Sequence, residues 1–438
     1  MHRNAELLAR SRAAVWHPCT QMKRHETLPL VPIARGSGVW LYDQENRRYL
    51  DAVSSWWVNL FGHCNPHINA ALVDQLGKLE HVMLAGFTHE PVVKLSERLA
   101  QLAPKGLGHC FYASDGASAT EIALKMSVHF WRNSGQPQKT DFISLQHSYH
   151  GETLGALSVT DVALFKDAYG TLIKQNATVP SPDWRDAAPG ETAAHYALRC
   201  ATQLEAYLQQ HHQQLAAMII EPLVQGAAGM AMYHPIYLAR ARELCHHYNV
   251  HLIADEIAVG MGRTGTLFAC EQANVSPDFL LLSKGISGGY LPLSVVMTQE
   301  PIYQAFYDDE LTRGFLHSHS YTGNPLACRA ALATLDIFEE DEVLQVNHGK
   351  ASYFMQTCAP LREHPKVKHF RHCGMIWAFE VDTPHADFAQ RCFALGLENE
   401  LLLRPMGNTV YFMPPYVISD AEMDLLAART LKIIEKLV

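Results

Sequence analysis

The chain has 438 residues, 48% hydrophobic content and a formal net charge of -9. That length is ample for a large core and points to two domains. The acidic balance, with no block rich in lysine or arginine, speaks against nucleic acid as a partner.

The first eighteen residues carry no hydrophobic stretch of the secretory kind. Arg3, Arg10 and Arg12 hint at a transit peptide, but Glu6 and the scarcity of serine oppose it. No apolar run is long enough to cross a bilayer. The expectation is a soluble, cytoplasmic protein without a membrane partner. Residues 1–65 read as the first segment of a small domain. In it Gly38–Tyr42 and Arg48–Ala52 flank a hairpin turn at Asp43-Gln44-Glu45-Asn46. Ser54-Ser55-Trp56-Trp57 follows. Neighbours on a strand face opposite ways, so one tryptophan would pack and the other would meet a cavity or a partner chain. Both as core or interface anchors is the plainer alternative.

Residues 66–330 alternate helix and strand, the pattern of a large α/β domain. Helices are expected over Asn69–Leu79 and Pro91–Leu102, the second with Val92, Leu95 and Leu99 on one stripe. The strand His109–Ala113 runs into Ser114–Thr120, small residues that open a helix marked by Ile122, Met126 and Phe130. A helix start of this kind offers free N–H groups and a positive dipole end to a phosphate. Ordinary capping would use the same residues. The strand Asp141–Leu145 leads to Ser148-Tyr149-His150-Gly151-Glu152, where Tyr149 either stacks on a flat ligand or is simply buried. Residues 175–195, with Pro180, Pro182 and Pro189, read as loop. A helix over His195–His212, a strand Ala217–Ile220 ending at Glu221, and a helix Tyr237–Tyr248 complete the approach to the central stretch.

That stretch holds two short β-rich runs, Val250–Ala254 and Phe279–Leu282. The first ends in Asp255-Glu256, the second in Ser283-Lys284-Gly285 with Gly288 and Gly289 behind. A lone charge buried at a strand end is costly unless something pairs with it. In parallel α/β sheets ligands sit at the carboxyl ends of strands. Pyridoxal phosphate is a ligand that needs both groups: a lysine amine for its aldehyde and a carboxylate that keeps its ring nitrogen protonated. A surface lysine and a capping aspartate are the alternative. The link from Lys284 to the next strand, Leu293–Met297, is too short for a crossover helix, so Lys284 should sit on a tight hairpin before an antiparallel strand. Residues 315–325 read as a hydroxyl-rich loop ahead of a helix Leu326–Glu340.

Residues 331–438 read as a smaller α/β domain. Strands are expected at Lys366–Phe370, Met375–Val381, Leu401–Arg404 and Val410–Met413, with a helix Ala386–Leu395 and a last helix capped by Ser419 and Glu422. The ten cysteines stand singly, with no CxxC pair, as in proteins of reducing compartments. His317-Ser318-His319 lacks a carboxylate or cysteine partner, so no metal is expected.

The motifs IIEP (Ile219–Pro222), ADE (Ala254–Glu256), GRTG (Gly262–Gly265), SKG (Ser283–Gly285) and GNPLAC (Gly323–Cys328) resemble those of class III pyridoxal-phosphate aminotransferases over nearly the whole chain. The resemblance implies fold type I: a mostly parallel central sheet with helices on both faces, plus a smaller α/β domain. It implies Lys284 as the residue that holds the cofactor and moves the proton, and Asp255 on the pyridine nitrogen. It implies Gly116 and Ala117 on the phosphate, and Tyr149 on the ring. Ser320 would reach the cofactor of a neighbouring subunit, which implies a homodimer with shared sites. Trp16-His17-Pro18, Ser54–Trp57, Ser148–Gly151, Arg404-Pro405 and Met413–Tyr416 resemble a narrower branch, which aminates 8-amino-7-oxononanoate in biotin synthesis with S-adenosylmethionine as donor. There Arg404 would clamp the substrate carboxylate, Trp56 and Trp57 would wall the channel, and Arg263 and Gly289 would lie near the substrate. Cys19, Glu152 and Ser320 depart from the tyrosine, aspartate and threonine that the resemblance leads one to expect. A general ω-amino-acid or diamine aminotransferase, lysine as donor, and a non-catalytic binding protein on the same fold stay open at this point.

Overall fold

A computed structural model describes residues 3–438; Met1 and His2, the start of the expected N-terminal segment, lie outside the described residues. The chain forms two units. One is contiguous, Ala70–Leu344; the other joins the two chain ends, residues up to Asn69 and Gln345–Val438.

The N-terminal part of the second unit is an antiparallel meander of β1 (Ile33–Ser37), β2 (Trp40–Asp43) and β3 (Arg48–Asp51). The expected hairpin is β2–β3. Its turn is held by Asp43, whose Oδ1 accepts the N–H groups of Glu45 and Arg47 at 2.9 Å each, and Asn46 takes the left-handed position at φ 62°. A helix Arg3–Ala14, not foreseen, is pinned here by Asn4 Nδ2, which donates to Asp43 Oδ2 at 2.8 Å.

The contiguous unit carries β4 (Leu107–Ala113), β5 (Asp141–Leu145), β6 (Ala177–Val179), β7 (Leu215–Ile220), a small ribbon of β8 (Val224–Gln225) and β9 (Ala231–Met232), then β10 (His251–Asp255), β11 (Phe279–Leu282) and β12 (Ser294–Gln299). Seven of them form one sheet in the order β4-β12-β11-β10-β7-β5-β6. Only β12 runs against its neighbours, as the short link after Lys284 requires. Every residue of β7, β10 and β11 is buried, so both faces of the sheet are covered. On one face Ala217, Ile219, Ile253, Phe279, Leu281 and Val296 pack against Ile122 and Met126 of the helix Gly116–Asn133.

Two expectations in this unit are corrected. Residues 175–195 are not all loop: β6 pairs in parallel with β5, Val179 opposite Leu145. The flanking prolines hid it, but an edge strand tolerates a proline at its end. The helix expected at Asn69–Leu79 spans Pro66–Leu76. Asn65 Oδ1 accepts the N–H of His67 at 3.0 Å and of Ile68 at 3.3 Å, and proline suits the first helical position.

The C-terminal part of the second unit has β13 (Val367–Cys373), β14 (Ile376–Val381), β15 (Leu401–Leu402) and β16 (Thr409–Phe412). β13, β14 and β16 make an antiparallel sheet, while β15 lies parallel to β3 with Leu401 beside Leu50. β15 stops short of the expected Arg404, since its partner β3 ends at Asp51, opposite Leu402. The helix Val343–Thr357 was not foreseen, because its buried stripe of Val343, Asn347, Ala351 and Phe354 includes a polar asparagine and a small alanine. The last helix, Asp420–Leu437, has the expected capping box: Ser419 N donates to Glu422 Oε2 at 2.9 Å, and Met423, Leu426, Thr430, Ile434 and Leu437 point inward.

Candidate active site

Four neighbouring parallel strands, β5, β7, β10 and β11, deliver ionisable groups to one edge of the large sheet. Asp255 is the last residue of β10 and Glu221 follows β7; their predecessors Ala254 and Ile220 are register partners, so the two carboxyls leave adjacent strands side by side. Lys284 follows β11. His150 lies in the segment after β5.

Asp255 is buried and doubly held. His150 Nδ1 lies 2.6 Å from its Oδ2, and Ile257 N donates to its Oδ1 at 3.1 Å. The buried Nε2 of His150 makes no hydrogen bond among the described residues. Lys284 has the left-handed φ of 45°, a conformation that costs a non-glycine residue about 1–3 kcal/mol and persists only where the surroundings enforce it. Here Ser283 Oγ donates to Leu293 O at 2.8 Å and Ser287 Oγ to Leu291 O at 2.6 Å, closing the hairpin around it. Gly288 and Gly289, at φ 64° and 86°, complete the turn. Desolvation pushes the Lys284 ammonium below its ordinary pKa, against the pull of Asp255 and Glu221. A lysine so placed gives up its proton more readily than one in water.

Glu221 is fully buried. Its Oε2 accepts the N–H of Tyr149 at 3.1 Å and its Oε1 the N–H of Gly226 at 2.9 Å. Burial first, then the Asp255 charge, pushes its carboxyl up to about 7, against His150 and the two amides. Glu256 is also raised to about 7 by burial, but its oxygens accept from Ala269 N at 2.7 Å and Cys270 N at 2.8 Å, which makes it a tether for that turn.

The helix Gly116–Asn133 begins beside this edge. Asp115 caps it by accepting from Ser118 N at 2.8 Å, and Thr120 Oγ1 ties it to His150 O at 2.9 Å. The N–H groups of Gly116 and Ala117 make no hydrogen bond among the described residues, so two donors at a positive helix end stand ready for an anion. Tyr149 is half-buried; its hydroxyl donates to Glu152 Oε1 at 2.9 Å and its ring meets Phe165 edge-on. Arg263 is buried in the Gly262–Gly265 turn, with its N–H donating to Gly260 O at 3.3 Å. Ser320 is exposed in the 315–325 segment.

The remaining predicted site residues come together in the other unit. Ser54, Ser55 and Trp57 have φ of 51°, 61° and 66°, so the segment is a tight turn rather than a strand. The two tryptophans still part ways. Trp57 is buried and donates from Nε1 to the Tyr411 hydroxyl at 3.1 Å; Trp56 is 41% exposed. The Arg404 guanidinium lies over the Trp56 ring, 3.9 Å from its centroid. Burial pushes the Tyr411 phenol up to about 12, so it stays protonated beside Arg404.

Comparison with known proteins decides the family. The sequence profile of class III aminotransferases matches residues 21–435. The chain is a class III aminotransferase. Adenosylmethionine-8-amino-7-oxononanoate aminotransferase of Helicobacter pylori is 46% identical over 431 residues, covering 97% of this chain and 96% of that protein. The crystal structure of the enzyme of that name from Methanocaldococcus jannaschii superposes with a TM-score of 0.92 at 33% identity, over 99% of each chain. An omega transaminase from Pseudomonas jessenii, solved in complex with PMP, superposes at 0.93 with 27% identity, over 98% of each chain. Class III aminotransferases depend on pyridoxal 5'-phosphate. The residues present fit that group: two free amides at a helix start, a buried carboxylate backed by a histidine, and a lysine whose charge is disfavoured. Sequence reasoning gave no role to His150, although it stood in a quoted motif. The signal was an ionisable residue downstream of a fourth strand of the same sheet.

Proposed function

We propose that this class III aminotransferase transfers the amino group of S-adenosylmethionine to 8-amino-7-oxononanoate, giving 7,8-diaminononanoate for biotin synthesis. The observation that carries the chemistry is the strand-end set of Lys284, Asp255 and His150 beside the open start of the helix Gly116–Asn133. The substrates follow from the relatives, which bear that name at 37–46% identity over nearly the full chain.

Pyridoxal 5'-phosphate, when bound, supplies the electron sink that lets the substrate Cα give up a proton. Gly116 and Ala117 would hold its phosphate through their N–H groups, and Tyr149 would cover one ring face. Asp255 would keep the ring nitrogen protonated, with His150 fixing its carboxylate. Lys284 would hold the aldehyde carbon until the donor amine takes its place, and its freed Nζ would then take the proton from Cα and return it to the other carbon. Arg404 would bind the far carboxylate of the keto acid with its planar fork. Trp56 and Trp57 would wall the channel, and the Trp56 face that now carries a guanidinium suits a sulfonium equally. Arg263 and Gly289 would border the substrate.

A homodimer belongs to the same reading, with exposed Ser320 reaching the neighbouring subunit's cofactor phosphate. So does a place in the cytoplasm, supported by the singly placed, unpaired cysteines. Among the described residues no helix is long and apolar enough to cross a membrane.

The test is a donor panel. Purified protein is given 8-amino-7-oxononanoate with S-adenosylmethionine, lysine, a diamine or γ-aminobutyrate, and 7,8-diaminononanoate is measured. S-adenosylmethionine should lead the panel. Product from lysine alone would keep the reaction and replace the donor; no product from any amine would overturn the reading. Light scattering should return twice the 49.0 kDa chain mass.

A further inference from the structure

Glu221 differs from Glu256, the other buried carboxyl of the large unit held by two main-chain amides, in facing the strand-end set. It has no ion-pair partner among the described residues, yet both its oxygens are engaged, one by the main chain of Tyr149 and one by that of Gly226. The hydroxyl of Tyr233 closes the space behind it by donating to Glu221 O at 2.6 Å. The ionisable groups facing it are His150 after β5, Asp255 on β10 and Lys284 after β11. Two carboxyls on adjacent strands therefore share one lysine, and a single histidine serves Asp255.

That arrangement holds its charge only while Lys284 is an ammonium. When Lys284 becomes neutral in the cofactor-free protein, two carboxylates remain side by side in a dry pocket, which is unfavourable unless one takes a proton. Asp255 keeps His150 and the Ile257 amide; Glu221 has amides alone. We propose that Glu221 is a second positioning residue of the transaminase: it fixes the main chain that carries Tyr149, and in the cofactor-free protein it takes the proton that Lys284 gives up and hands it back when Lys284 is charged again. The net charge of the strand edge is then the same whichever of the two side chains holds the proton. This rests on the transaminase reading above. Burial already brings the Glu221 carboxyl to about 7, so uptake and release both lie within reach of neutral pH.

The test compares the wild type with Glu221→Gln and Glu221→Asp. In cofactor-free protein, a carboxyl that titrates near neutrality when folded and near 4.5 when unfolded lowers stability as pH rises between those two values. The melting temperature of Glu221→Gln minus that of the wild type should therefore climb between about pH 4.5 and 7 and level off above, while Glu221→Asp stays closer to the wild type. In cofactor-loaded protein, the pH midpoint of the visible absorption should fall by about one unit in Glu221→Gln, because a nearby negative charge has gone, and return most of the way in Glu221→Asp. A flat melting difference across that pH range overturns the inference. So does an unmoved absorption midpoint with Tyr149 and the cofactor in place. Should Glu221→Gln fail to fold, Glu221→Asp against the wild type carries the same two readouts. Failure of the transaminase reading would show separately, as a wild type that takes up no cofactor.

Discussion

Replacing Gly151 by alanine should destabilise the large unit by about 2–6 kcal/mol and weaken cofactor retention with it. Gly151 has φ 121°, where an L side chain is strained by about 1–3 kcal/mol. A Cβ there would lie 2.6 Å from Ala117 Cβ, 2.9 Å from Ala117 Cα and 3.2 Å from Ala156 Cβ. One of these is main chain, so relief must move a helix rather than a rotamer, and overpacking of this kind costs roughly 1–3 kcal/mol more. Ala117 belongs to the first turn of the helix Gly116–Asn133, so the movement falls on the proposed phosphate donors. Thermal unfolding of the cofactor-free protein reads the strain, and equilibrium dialysis against pyridoxal 5'-phosphate reads the cradle. Gly108→Ala is the control: nothing lies within 4 Å of its Cβ and its φ is ordinary, so it should stay within about 1 kcal/mol of the wild type. A Gly151→Ala protein that melts with the wild type and holds the cofactor as well would refute the reasoning.

Three further outcomes are expected. Asp255→Ala should keep a coloured cofactor but slow its bleaching by the amino donor about 10²-fold or more in single-turnover experiments. Arg404→Lys should raise KM for the keto acid about 10- to 100-fold, as loss of a charge-assisted fork would, with a smaller change in KM for the donor in steady-state kinetics. His251 is buried against Trp131, bonds Ser127 Oγ at 2.8 Å, and is held down to about 4, chiefly by burial. Its neutral form is thus favoured in the folded state. The stability it contributes, roughly 3 kcal/mol, is present above pH 6.5 and is lost as pH falls toward 4. His251→Gln should flatten that part of the pH–melting curve.

Much of the fold was legible because its strands are short, β-rich and bounded by breakers. β10 and β11 are apolar at most positions, so their ends could be located and Asp255 and Lys284 placed on one edge. Even the antiparallel β12 followed from the length of the link after Lys284. β6 escaped because three residues between a polar loop and Pro180 give no periodicity. The helix Val343–Thr357 escaped because Asn347, a polar residue, sits on its buried stripe between Val343 and Ala351. His150 was hidden for a different reason: its partner lies 105 positions away, and only the sheet order brings the two within 2.6 Å. The Arg404–Trp56 stack is likewise a product of two distant turns of the smaller unit, invisible to spacing.

The smaller unit is sewn from both ends of the polypeptide, and this has a bearing on its birth at the ribosome. β3 cannot acquire its neighbour β15 until Leu401 has been added, some 350 residues after Leu50. At about 5–20 residues per second that is roughly 20–70 s, during which the contiguous unit can finish while the leading meander keeps one rim bare. The buried Leu50 and Ala52 are thus the residues most in need of a chaperone's cover during synthesis, and slow translation of the last hundred codons would prolong that need.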